Sequence, residues 1–85
     1  MIVSFNSKAQ KDFKKLDKTT KSRIDKFITE LETLENPRSR GKALVGNLSS
    51  LWRYRIGDYR LLCEIQDNNL IILVLTIGHR KSIYD

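Results

Sequence analysis

At 85 residues the chain reads as one domain, residues 1–85, with room for only a modest core. Lys and Arg number 16 against 10 Asp and Glu, a formal net charge of +6, so the expected partner is a polyanion, either nucleic acid or an acidic protein. One Cys and one His exclude an internal disulfide framework and leave too few ligands for a His/Cys zinc site, and MIVSFNSKAQ has neither a signal-peptide pattern nor the start of a membrane span; the expectation is a cytoplasmic protein with no metal, no cofactor and no membrane partner.

Residues 2–5 form a short β-leaning run. Ser7 followed by Gln10 has capping-box spacing and predicts a helix start, with Ala9, Phe13 and Leu16 on one face. Residues 17–20 interrupt that pattern. A second helix is predicted over 20–35, where Ile24, Phe27, Ile28, Leu31 and Leu34 follow the i, i+3, i+4, i+7 rule. Asn36-Pro37 ends it, because the residue before proline is pushed out of the α region. A short connection makes the two helices an antiparallel hairpin.

Residues 36–50, NPRSRGKALVGNLSS, read as a long structureless connection carrying Arg38, Arg40 and Lys42. Such a segment in a small domain is either a binding loop or a solvated crossover. Residues 51–65, LWRYRIGDYRLLCEI, then alternate as a β-hairpin, with Gly57-Asp58 as a two-residue type II′ turn. That turn pairs Ile56 with Tyr59, Tyr54 with Leu61 and Trp52 with Cys63 on an apolar face. The other face pairs Arg55 with Arg60, Arg53 with Leu62 and Leu51 with Glu64. Two facing arginines repel by roughly 0.2–1 kcal/mol. An anion held between them is the simplest reason to keep both, and the guanidinium fork matches phosphate.

The run LIILVLTIG, residues 70–78, predicts a central strand covered on both faces. A two-residue turn at Asn68-Asn69 would set Ile65 against Ile72, Cys63 against Val74, Leu61 against Thr76 and Arg60 against Ile77. His79 then joins Arg53, Arg55 and Arg60 on a sheet face partly open to solvent. The fold class is α+β in the order βααβββ, with an N-terminal helical hairpin packed on the apolar face of a small, mainly antiparallel sheet. Cys63 is expected to be buried and inert. Each arginine alone could be a solvated surface residue, and His79 alone a structural one; their convergence is what points to a site.

No phosphate-binding loop, dinucleotide fingerprint or cluster of carboxylates is present. Metal-independent cleavage of RNA suits these residues, because the 2′-OH is the nucleophile and arginines can stabilise the phosphorane.

The order βααβββ, the run GKALVGNLSSLWRYRIGDYRLLCEI and the ending LTIGHRKSIYD resemble the RelE/ParE superfamily of type II toxin–antitoxin toxins, the RelE branch more closely. The resemblance implies a microbial RNase-like fold and an endoribonuclease (an mRNA interferase) that cuts message in the ribosomal A site and inhibits translation. Its partners would be the ribosome, mRNA and a cognate antitoxin whose acidic or amphipathic segment wraps the toxin. It also implies that Arg60 and Arg80 contact the phosphate, that Tyr84 stacks on a base or assists at the 2′-OH, and that His79 stands where some members carry lysine. Arg53 and Arg55, with Arg38, Arg40 and Lys42, would bind RNA. Leu51 stands where the best-known type has a further lysine. Two alternatives share the fold or the charge: a ParE-like gyrase inhibitor without nuclease activity, and a non-catalytic RNA-binding module.

Overall fold

Two helices lie against one face of a five-stranded sheet whose order is β1-β5-β4-β3-β2. The protein is described here by a computed structural model covering residues 1–48 and 50–79. β1 is Ile2–Phe5, α1 Ser7–Lys14, α2 Lys18–Thr33, β2 Lys42–Ala43, β3 Trp52–Ile56, β4 Tyr59–Gln66 and β5 Ile71–His79. β1 runs parallel to β5 and every other pairing is antiparallel.

The helix boundaries follow from their caps. Asn6, not Ser7, caps α1: its Oδ1 accepts the Ala9 N–H at 2.8 Å, and Gln10 Nε2 donates to the Phe5 carbonyl at 3.0 Å. Asp17 caps α2 by accepting the Thr20 N–H at 2.9 Å, so the helix starts at Lys18, two residues ahead of the start expected at residue 20. Leu34 is already extended, ahead of Asn36-Pro37. The connection expected to be structureless holds two short 3₁₀ turns, Pro37–Ser39 and Gly46–Leu48, and the strand β2.

The apolar alternation of the hairpin becomes the core. Tyr54, Leu61, Cys63, Ile72 and Val74 are fully buried with Ala9, Ile24 and Leu31 from the helices. Phe27 packs on Tyr54 at 5.5 Å between ring centroids, and the Tyr54 hydroxyl donates to the Pro37 carbonyl at 2.8 Å. Burial pushes the Cys63 thiol up to about 12, so it stays protonated and unreactive.

The β3–β4 register is as the turn requires, including Arg55 opposite Arg60, and Gly57 has φ +59°. β4–β5 begins as expected with Ile65↔Ile72 and Cys63↔Val74, and then departs. A bulge at Leu75 shifts the rest by one residue, giving Leu61↔Ile77, Arg60↔Gly78 and Tyr59↔His79 in place of the expected pairs. His79 therefore lies on the face of Tyr59, not on the arginine face. Beside the bulge, Asp12 accepts the Ile77 N–H at 3.0 Å.

β1 is an edge strand, and α2 guards it: the Val3 N–H donates to Glu32 Oε2 at 2.8 Å. Among the described residues no helix is long and apolar enough to cross a membrane.

Candidate functional site

Three strands build the site. On the face away from the helices, Arg55, Arg60 and Gly78 form a row across β3, β4 and β5. Arg55 is exposed, but Arg60 is only 5% exposed, although the face they share was expected to be partly open to solvent. Arg60 Nη1 donates to the Tyr59 carbonyl at 3.3 Å. A cation held in so sheltered a place is costly unless polar groups surround it, which makes Arg60 a fixed charge rather than a mobile one.

β2 is two residues long, and where it stops the outer edge of β3 opens into a cleft of about 320 Å³. Phe27, Gly41 and Tyr54 line it together with Arg40, Lys42, Arg53 and Arg55. Lys42 is paired directly opposite Arg53. Like charges facing each other destabilise a bare sheet, as at Arg55 and Arg60. Arg40 bonds Glu30 at 3.2 Å and stands 5.9 Å over the Phe27 ring, while its carbonyl accepts the Trp52 indole N–H at 2.7 Å. Gly41, at φ +79°, brings the chain across β3 so that Arg40 and Lys42 reach the cleft from either side.

A second cleft of about 360 Å³ shares Phe27 and Arg55 with the first and is lined further by Arg23, Lys26, Ile56, Gly57 and Glu30, the last paired with Arg40. Arg23 and Lys26 were not singled out from sequence. The available signal was their position on α2 beside Phe27, at i, i+3 and i+4 spacing. The two clefts form one cationic band, suited to a strand of phosphates with an aromatic floor at Phe27.

Arg38 is not part of this band. It makes a two-pronged ion pair with Asp67, 2.9 Å on each prong, beyond the end of β4 that lies far from the hairpin turn. The Arg38 guanidinium holds the Asp67 carboxyl below the usual range, and Asp67 in turn raises Arg38. His79 meets Tyr59 edge-to-face with ring centroids 5.5 Å apart. Arg80 and Tyr84 lie outside the described residues. Glu64 is exposed, toward the far end of β4, and accepts from Gln66 at 2.7 Å. Among the described residues, no group of three or more His, Cys, Asp or Glu side chains is placed to hold a metal ion.

The sequence model of the ParE toxin family, of type II toxin–antitoxin systems of the parDE type, matches residues 3–84, and the chain belongs to this family. Among curated relatives, toxin RelG of Mycobacterium tuberculosis is 30% identical over 82 residues, covering 96% of this chain and 93% of its own. The mRNA interferase toxin RelE of Escherichia coli K12 is 26% identical over 82 residues, covering 94% and 83%. The fold matches the toxin–antitoxin complex RelBE2 of M. tuberculosis with a TM-score of 0.82 and 30% identity, over 93% of this chain and 96% of that one. It also matches isolated E. coli RelE at 0.74 and 20% identity, over 92% and 82%, a likeness of fold alone.

Proposed function

We propose that the chain is the toxin of a type II toxin–antitoxin pair and acts in the cytoplasm as an endoribonuclease on message in the ribosomal A site. The observation that carries this reading is the sheltered Arg60 in a row with Arg55, bordering a cationic band; the relatives named mRNA interferases support it. The 2′-oxygen attacks phosphorus as its proton is removed, and the 5′-oxygen leaves with a proton, giving a 2′,3′-cyclic phosphate and a 5′-hydroxyl. Arg60 stabilises the charge that develops on the phosphorane. Arg53, Arg55, Arg40 and Lys42 hold the flanking phosphates. Arg80 and Tyr84 are assigned to the second phosphate contact and the acid–base work, while His79, which packs on Tyr59 on the opposite face from Arg60, is left out of this step. The antitoxin meets the basic surface with an acidic or amphipathic segment.

Expression without a partner should arrest growth, with messages cut inside translated codons. Arg60→Met keeps the buried stem but removes the charge; it should lower single-turnover cleavage by about 10²–10³-fold. Ribosome binding should change far less, because phosphate attraction is spread over many cations. The family description also names ParE, which favours gyrase inhibition as a second reading. Intact messages with early gyrase-dependent DNA breaks would replace the nuclease reading with that one.

A further inference from the structure

A single carboxylate oxygen on α1 touches β5 where its register changes. Asp12 Oδ2 accepts the Ile77 N–H at 3.0 Å, the Thr76 hydroxyl at 3.0 Å and the Lys8 ammonium at 2.7 Å. β1 pairs with β5 only as far as Phe5↔Val74, and past that point α1 packs on β5. Successive backbone N–H groups of a strand point to opposite sides. Val74 serves the β1 side, where its carbonyl accepts the Asn6 N–H at 3.1 Å. In an unbroken strand Thr76 would be the next residue to turn its N–H that way, and Ile77 would turn toward β4. The extra residue at Leu75 reverses the alternation and presents the Ile77 N–H to α1. The Asp12–Ile77 bond is therefore specific to the bulged register.

The two registers build different sites. With the bulge, Gly78 lies beside Arg60 and Ile77, 6% exposed, joins the core opposite Leu61. Without it, Ile77 would stand beside Arg60 on the open face and Thr76 would enter the core. A branched side chain in the row would fill space that a phosphate needs next to the guanidinium.

We propose that Asp12 is a positioning residue that locks β5 in the bulged register and so keeps a glycine, not an isoleucine, beside Arg60. Burial raises the Asp12 carboxyl, but the donors from Lys8, Ile77 and Thr76 outweigh this and hold it below the usual range, so it is an ionised acceptor at neutral pH. The lock is a property of the fold; only its kinetic consequence rests on the nuclease reading.

The test uses the full chain, isotope-labelled, and reads cross-strand proton contacts that distinguish Arg60–Gly78 from Arg60–Ile77. Wild type and Lys8→Met, which leaves the Ile77 bond intact, should show Arg60–Gly78; Asp12→Ala should lose it. On programmed ribosomes, Asp12→Ala should cut single-turnover cleavage by about 10–10²-fold, the scale of a misplaced group, with Lys8→Met near wild type. Deleting Leu75 removes the bulge while keeping the same pairs, so the deletion should restore both register and cleavage to Asp12→Ala. Arg60–Gly78 contacts and cleavage unchanged in Asp12→Ala would overturn the proposal. So would failure of the Leu75 deletion to rescue that variant, including its folding if Asp12→Ala does not fold. If wild type leaves message intact, the nuclease reading falls and the proton contacts alone decide the lock.

Discussion

Gly41 carries more of the site than its lack of a side chain suggests. A Cβ there would lie 2.6 Å from the Trp52 indole nitrogen and 2.9 Å from Tyr54 Cδ1, on a backbone whose φ is +79°. Gly41→Ala should therefore destabilise the fold by about 2 kcal/mol or more, the sum of a left-handed strain and a clash with a packed ring. Urea unfolding measures this directly; an unchanged midpoint would mean that the Arg40–Lys42 crossing is free to move off β3. At the same scale, alternation was enough to place Arg55 opposite Arg60, but not to show that Arg60 is sheltered. Strand period assigns a side chain to a face and is silent about what covers that face. Arg23 and Lys26 were illegible for a related reason: on a helix, charges flanking an apolar stripe look the same whether they face water or the mouth of a cleft.

Among elements, the hairpin was the most legible, because a glycine at φ +59° in a two-residue turn leaves one register. The far end of β5 was not legible. Leu75 has no signature of a bulge, since neither a glycine nor a proline adjoins it in the run LIILVLTIG, and the residue that distinguishes the registers sits on α1, where Asp12 reads as a solvated helix charge. Each of three carboxylates joins elements or caps one: Asp12 ties α1 to β5, Asp17 caps α2, and Asp67 ties Arg38 to the β4–β5 turn. Thr20 holds Asp17 below the usual range through its hydroxyl and its N–H, as Arg38 does Asp67. A depressed folded value contributes stability that is fully present above the ordinary carboxylate pKa of about 3.9 and is lost as pH falls through the folded value. Urea midpoints should thus be level from about pH 6 to 5 and decline below about pH 4. Asp67→Asn and Asp17→Asn should start lower and decline less steeply. A midpoint that rose toward pH 3 would contradict the sign of all three shifts.

Across the whole molecule, the +6 charge is gathered in part into one band around the β3 edge. Binding to a single-stranded RNA oligonucleotide should weaken linearly on a log–log plot against salt, each phosphate contact adding about 0.7 to the slope. If the band extends over α2, Arg23→Gln with Lys26→Gln should reduce the slope by about 1.4. An unchanged slope would confine RNA to the cleft at the β2 end of the β3 edge, away from Arg23 and Lys26.

The parallel pairing of β1 with β5 joins Ile2 to Ile71, nearly opposite ends of the described chain. During synthesis the helices and the β3–β4 hairpin can form from local contacts, but the sheet cannot close until residues 71–79 have emerged. β1 and α1, made first, wait longest for their partner. The row beside Arg60 is completed by Gly78, so it too waits for that strand. A nascent copy therefore has no assembled Arg55–Arg60–Gly78 row until β5 has been made and has paired with β4.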